Sequence, residues 1–180
     1  EEALKLKDEF GGKVTVISMG PPKASEVLEW SLALGADEAV LLSDKAFAGA
    51  DSWATAVGLA EYIKDKDFDL IFFFFLSDDG ATAQVGPQIA EILNIPHLTF
   101  VSSLENIDAD NKEAVVKREI EYGGYMKFKL KMPGLIAVLK NINEVREITA
   151  EGMMTAGEKE FNTYTAEDLN IDPKTIGLEG

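Results

Sequence analysis

The 180-residue sequence contains no cysteine and a single histidine, His97. Without cysteine there is no disulfide framework, no thiolate nucleophile and no metal or iron–sulfur site with cysteine ligands. One histidine cannot supply a site that needs several histidine ligands. We therefore expect no metal centre and no catalytic triad in this chain.

Basic residues are also scarce, since 17 lysines and arginines stand against 32 acidic residues and give a net charge of −15. A surface this acidic argues against nucleic-acid binding, which needs basic residues along the phosphate backbone. No apolar stretch is long enough to span a bilayer, and the charged start Glu1–Lys5 does not resemble a signal peptide. We expect no membrane insertion and a location in the cytoplasm or an organelle matrix.

The sequence is rich enough in hydrophobic residues, at 46%, to form a packed core. Its most informative stretch begins with an unbroken apolar run, Leu70–Leu76, which is typical of a central strand buried on both faces of a parallel sheet. Apolar residues at helical spacing then predict a helix with Thr82 as its N-cap, ending near Asn94 and before Pro96.

A buried strand, a turn with glycine and a helix N-terminus together form a potential anion site. Gly80, with Ala81 and Ala83, leaves room for a phosphate close to the backbone. An ordinary strand–turn–helix connection, in which Asp78 and Asp79 stabilise the turn, is the alternative interpretation. The residues by themselves favour this alternative, because a lone glycine turn is a weak signal.

Strands and helices alternate along the first hundred residues, which predicts an α/β fold with a doubly wound, mostly parallel sheet. The lysine-bearing alternation of residues 126–131 predicts an antiparallel hairpin with the strand that begins near Glu113, and residues 135–139 predict a further apolar strand. After Ile148 the periodicity fades, and residues 163–180 are interpreted as a helical turn and a loose tail. Met153 and Met154 form either an adaptable contact surface or part of the core.

Several stretches, in order along the chain, resemble the β-subunit family of electron transfer flavoproteins. They are residues 14–21, 35–44, 46–51, 82–88 (Thr-Ala-Gln-Val-Gly-Pro-Gln), 141–146 and 168–169. The resemblance implies a heterodimer in which an α subunit carries most contacts to an electron-transferring FAD. It also implies that the β subunit holds an adenine nucleotide in a Rossmann-like domain, and that the flavin performs the chemistry.

The nucleotide of the β subunit is AMP in simple members and a second FAD in electron-bifurcating members. That FAD accepts hydride from NADH and passes electrons to the FAD of the α subunit and to an acyl-CoA dehydrogenase-type partner. The form of residues 82–87 is associated with the bifurcating group, which favours FAD over AMP. The resemblance thus implies an electron carrier subunit, and an NADH-linked oxidoreductase only if it bifurcates electrons.

The resemblance also assigns site residues by position. The cofactor-binding residues are Ser18, Met19, Gly20, Phe74, Phe75, Leu76, Ser77, Asp78, Asp79, Gly80, Ala81, Thr82, Ala83, Gln84 and Val85. The partner-recognition loop falls on residues 147–157, with Ala150, Met153 and Met154 as partner-binding residues. The chain departs from the family at residues 74–76, where the family usually has glycine, a basic residue and glutamine.

In this assignment residues 1–148 form the adenine-nucleotide-binding domain, and residues 149–180 form the recognition loop and the start of a C-terminal arm. The family's first strand would precede Glu1. Two other functions are open: a non-redox scaffold subunit that binds AMP, and an adenine-nucleotide sensor on the same fold, since one fold serves many functions.

Overall fold

The computed structural model describes residues 1–76 and 80–177. Ser77, Asp78 and Asp79, which belong to the predicted turn, lie outside the described residues. The chain forms two compact units: residues 1–62 with 144–180, and residues 63–143. The predicted functional boundary at residue 148 stays a prediction.

The secondary structure alternates between helices and strands in the first half, as predicted, and is richer in strands afterwards. The elements are α1 (Glu2–Phe10), β1 (Thr15–Met19), α2 (Ser25–Leu34), β2 (Glu38–Leu42), α3 (Ser52–Ile63), β3 (Leu70–Phe74), α4 (Val85–Ile92), β4 (His97–Asp108), β5 (Glu113–Ile120), β6 (Gly124–Lys131), β7 (Gly134–Val138), α5 (Ala150–Ala156) and β8 (Glu160–Tyr164). Together they confirm the α/β class.

The first unit contains a parallel three-stranded sheet in the order β1-β2-β8. Its middle strand, β2, pairs with β1 from Thr15 opposite Glu38 and with β8 from Glu38 opposite Glu160. Residues 39–42 of this strand are fully buried, because neighbouring strands flank it on both edges. The interpretation of residues 163–180 as a helical turn and tail is therefore wrong at its start, since Thr163 and Tyr164 complete β8.

Helix α2 covers part of this sheet with one apolar side. Leu28 and Leu32 pack with Ala36, Ala39 and Leu41 in a buried cluster. The helix ends at Gly35, whose φ of 126° is open to glycine and strained for other residues. The buried side of this helix also includes Ala33, whereas Val27 is 67% exposed.

The second unit contains a five-stranded mixed sheet in the order β3-β7-β4-β5-β6. The prediction that residues 70–76 form a central strand buried on both faces is wrong, because β3 lies at an edge of the described sheet and its residues are only partly buried or exposed. Strand β7 pairs in parallel with β3 and with β4, while β5 pairs antiparallel with β4 and β6. The predicted hairpin is confirmed as β5 and β6. Strand β4 is the longest described strand, at 12 residues, because its second half pairs with β5 after two register shifts.

In the described part of the chain, no helix combines the length and apolar character that crossing a membrane requires.

One ion-pair network in the first unit joins the segment before α5 to α1. The guanidinium of Arg146 donates to the carboxylate of Glu1 from Nε at 2.9 Å, and to Asp8 at 2.7 Å. The backbone N–H of Arg146 also donates to Glu1, whose side chain is only 5% exposed. The hydrogen bond from the Arg146 side chain holds the pKa of the Glu1 carboxyl below its usual range.

We expect Arg146→Gln to lower the free energy of unfolding at pH 7 by about 1–3 kcal/mol, because it leaves the Glu1 carboxylate buried without its cation. Because folding lowers the pKa of Glu1, the ion pair stabilises the folded state fully at pH values above the carboxyl's unfolded pKa of about 4.3. This stabilisation is lost as the pH falls through the pKa that Glu1 has in the folded state. Urea unfolding at pH 7 and pH 3 measures both effects.

Lys5→Gln is the matched control, since the Lys5 amine lies 3.5 Å from Glu2 on the surface of the same helix and is half-exposed. This variant should change the unfolding free energy by less than about 0.5 kcal/mol. Equal stability of wild type and Arg146→Gln at pH 7 would contradict the structural role of the network.

Candidate functional site

The predicted cofactor-binding residues fall in both compact units, and each group is described within its own unit. Ser18, Met19 and Gly20 belong to the first unit, whereas residues 74–85 belong to the second. In both units the described members of these groups lie at or after the carboxyl end of a parallel strand, β1 or β3. This end of a parallel sheet is the usual side for ligand binding in α/β proteins.

Strand β3 ends in a surface of aromatic and aliphatic side chains. Phe74 is 50% exposed, and Leu76 is 39% exposed. Between them, the backbone N–H of Phe75 donates to the carbonyl of Val138 at 3.0 Å, which continues the pairing with β7 by one residue. The Phe75 ring lies against the ring of Phe100, with 4.1 Å between centroids.

The connection from Gly80 to Gln84 has a backbone conformation that stops a helix from forming. Ala81 has a φ of 46° and Ala83 a φ of 57°, both in the left-handed region. The backbone N–H of Gln84 donates to the hydroxyl of Thr82 at 3.4 Å, which closes a local turn. Most of this connection is exposed to solvent.

Helix α4 consequently begins at Val85, with Gln84 as its N-cap residue. The prediction that Thr82 is the N-cap is wrong, because the left-handed residues on each side of Thr82 cannot belong to a right-handed helix. The backbone N–H groups of Val85 and Gly86 lie in the first turn, where no carbonyl of the helix can accept from them. These two N–H groups therefore have no acceptor within the helix.

Gly86 holds the start of α4 close to the sheet. A Cβ at this position would lie 3.2 Å from the Phe73 ring and 3.5 Å from the side chain of Leu135. The glycine therefore permits a close approach of the helix to β3 and β7.

In the first unit, Ser18 and Met19 end β1, and the backbone N–H of Gly20 donates to the carbonyl of Leu42 at 3.0 Å. A Cβ added to Gly58 would lie 3.0 Å from the Met19 sulfur, so the Met19 side chain packs against α3. Gly20 similarly permits close contact with Ala24, at 3.3 Å from an added Cβ. These residues join the end of β1 to the elements around it.

Asp44 was not among the predicted site residues, although it follows β2 at the same edge. Its carboxylate accepts from the backbone N–H groups of Ala46 and Ala166, each at 3.1 Å. These hydrogen bonds, first the one from Ala46, lower the pKa of Asp44. Its place directly after an apolar strand is the sequence signal that could have indicated it. The bonds give it a structural role that links the ends of β2 and β8.

The predicted partner-recognition loop is helical over Ala150–Ala156 instead of irregular. Thr149 caps this helix by accepting from the N–H of Gly152 at 3.0 Å. Ala150 is exposed, as are Met153 at 65% and Met154 at 81%. All three predicted partner-binding residues therefore lie at the surface of the first unit.

A protein-family model described as electron transfer flavoprotein domain matches residues 1–169 of this chain. The chain belongs to the electron transfer flavoprotein family. The predicted family resemblance is thereby confirmed, and an electron transfer flavoprotein role follows from it. The family implies electron transfer that is associated with a flavin.

Three relatives illustrate the range of this electron transfer flavoprotein family. The electron transfer flavoprotein subunit beta of Clostridium acetobutylicum is 44% identical over 180 residues, which are 100% of this chain and 68% of that protein. The caffeyl-CoA reductase-Etf complex subunit CarD of Acetobacterium woodii is also 44% identical, over 99% of this chain and 67% of that protein. Protein FixA of Azotobacter vinelandii is 43% identical, over 100% of this chain and 66% of that protein. The chain thus spans about two thirds of the length of these relatives.

We expect Gly152→Ala to destabilise the first unit by about 1–3 kcal/mol, because a Cβ at this position collides with the backbone carbonyl of Ala33 in α2. Gly157→Ala is the matched control: no atom lies within 4 Å of an added Cβ, and its φ is −71°. Thermal unfolding of both variants measures the difference. A Gly152→Ala variant as stable as Gly157→Ala would contradict the close packing of α5 on α2.

Proposed function

We propose that this chain is the β subunit of an electron transfer flavoprotein, that it pairs with an α subunit, and that it holds an adenine nucleotide at the connection between β3 and α4. The observation that carries this proposal is the backbone of that connection. The left-handed residues Ala81 and Ala83 and the N–H groups of Val85 and Gly86 lie after the carboxyl end of a parallel strand. Such N–H groups, with the positive end of the helix dipole, suit a phosphate.

The surroundings of the connection also suit the rings of a nucleotide. Phe74 and Leu76 offer half-exposed apolar surface directly before it. We propose FAD rather than AMP, because residues 82–87 have the form associated with the bifurcating group. When bound, this FAD would supply the redox chemistry, with NADH as the hydride donor. The protein's own residues would bind and orient it.

The exposed side of α5 is the proposed contact for an acyl-CoA dehydrogenase-type flavoenzyme. Ala150 is small, and the neighbouring Met153 and Met154 are flexible side chains that adapt to an irregular surface. The N-cap of Thr149 and the packing on α2 hold this helix in place, so the methionines are presented from a fixed backbone. We propose a cytoplasmic or organelle-matrix location for such a carrier.

The proposal is tested by releasing nucleotides with heat from the β subunit co-purified with its α partner, and by counting them by chromatography. We expect two FAD per heterodimer, one of them on the β subunit. One FAD and one AMP would favour a simple carrier in which the β subunit is a non-redox scaffold. A β subunit without any nucleotide would contradict the proposed site.

A second test concerns the backbone conformation of the connection. We expect Ala83→Val to weaken nucleotide binding by about tenfold, because a β-branched residue strongly disfavours the left-handed φ of 57° at this position. Ala83→Gly should bind nucleotide as well as the wild type, since glycine adopts this conformation without strain. Equilibrium titration with AMP measures both variants, and equal affinity of the two would count against this part of the site.

A further inference from the structure

Three side chains form a cluster at the carboxyl end of β3, in the second unit. The ring of Phe75, directly after the strand, lies against the ring of Phe100. The guanidinium carbon of Arg118, on β5, lies 5.8 Å from the centre of the Phe100 ring. We call these residues the β3-end cluster.

Strand pairing places the cluster at the edge where the parallel strands end. Arg118 lies opposite Val101 of β4, and Val101 lies opposite Val138, the last residue of β7. The carbonyl of Val101 also accepts from the N–H of Leu139 at 2.8 Å. Arg118 therefore belongs to the same edge of the sheet as the connection between β3 and α4.

Arg118 has a buried donor without an acceptor. Its Nε is buried and makes no hydrogen bond. In the described part of the chain, Gln88 Oε1 is the one other side-chain atom that is buried without a hydrogen bond. Arg146, the second arginine of the sequence, has its guanidinium bound to two carboxylates. A buried donor without a partner is unfavourable, and more so when it belongs to a charged group.

The backbone beside Arg118 is strained as well. Phe100 has a φ of 59°, which is rare for a large side chain, and the pairing of β4 shifts register on both sides of Val101. Such shifts redirect side chains, and strained residues concentrate at functional sites. Here the strained residue carries the ring that lies between Phe75 and the guanidinium.

Neither the aromatic ring nor solvent supplies a hydrogen-bond acceptor for the Nε of Arg118. A cation–π contact at 5.8 Å offsets only part of the loss of hydration. Arg118 as a whole is only partly buried, but its Nε is shielded from solvent and makes no hydrogen bond. A trapped water would accept from Nε without balancing the charge. An anionic group satisfies both the donor and the charge.

We propose that Arg118 binds a phosphate group of the nucleotide held at the connection between β3 and α4. This inference rests on the proposed nucleotide site and adds a side chain to it. The planar guanidinium donates two parallel hydrogen bonds to phosphate oxygens, which an ammonium group cannot reproduce. The ligand class is therefore a nucleoside phosphate, recognised by its anionic group as well as by its rings.

The test compares AMP with adenosine, which lacks the phosphate, by calorimetric titration of the nucleotide-free full chain. We expect Arg118→Gln to weaken AMP binding at least about tenfold and to leave adenosine binding unchanged. Arg118→Lys keeps the charge but not the paired donors, so we expect an intermediate loss for AMP alone. Equal losses for AMP and adenosine, or no loss for either, would overturn the assignment.

Lys117→Gln is the matched control. It removes one positive charge from the residue that directly precedes Arg118 in β5. Successive side chains of a strand point to opposite faces, and the Lys117 amine lies over the Tyr125 ring. We expect this variant to bind AMP within about twofold of the wild type. An AMP loss as large as that of Arg118→Gln would show a general charge effect and overturn the specific contact.

A measurement on the wild type makes the test independent of the folding of the variants. The sequence has two arginines, so modification by phenylglyoxal can be followed at Arg118 and Arg146 separately by mass spectrometry. We expect AMP, but not adenosine, to protect Arg118, with Arg146 unaffected. If AMP binds without protecting Arg118, the inference fails and the proposed site stands. If the wild type binds neither AMP nor FAD, the proposed site fails as well.

Discussion

Parallel pairing between strands that are far apart in the sequence is the constraint on which both units depend. In the first unit, residues 38–42 pair with residues 160–164, and in the second, residues 70–74 pair with residues 134–138. Parallel neighbours cannot be joined by a tight turn, so the chain must cross over between them. Each crossover places a helix or a further strand between the partners. The carboxyl ends of the strands are followed by loops, and in α/β proteins this is the usual side for ligand binding.

The candidate nucleotide site follows from this arrangement in the second unit. Pairing with β7 continues to Phe75, after which the chain leaves the sheet. Gly86 then allows α4 to approach β3 and β7 closely, so the helix start returns towards the strand end. Ala81 and Ala83, both with positive φ, lie directly before this helix start. The backbone donors and the apolar side chains of the candidate site thus lie where they do because of the way β3 and α4 pack on this sheet.

The two arginines of this acidic chain differ in their partners. Arg146 is fully engaged with carboxylates and anchors the segment before α5 to α1, which is a structural task. Arg118 lies at the edge of the second sheet beside a strained aromatic residue and has a donor without an acceptor. Among the described residues of a chain with a net charge of −15, a partly buried arginine whose shielded Nε has no acceptor is a local exception. The proposed phosphate contact would supply the missing acceptor.

The amino-acid sequence by itself determined the fold class, the hairpin of β5 and β6, and the family, because these depend on local periodicity and on motifs that are contiguous in the chain. The alternation in residues 126–131 needed no knowledge of distant partners. Strand β8 escaped prediction because its only sheet partner is β2, more than a hundred residues earlier. The start of α4 escaped because the φ angles of Ala81 and Ala83 are not evident from alanine, which usually favours helices. Only the tertiary structure decided that Arg118 lies beside Phe100 and Phe75. These residues are far apart in the sequence, and strand pairing with register shifts in β4 places them at the same edge of the sheet.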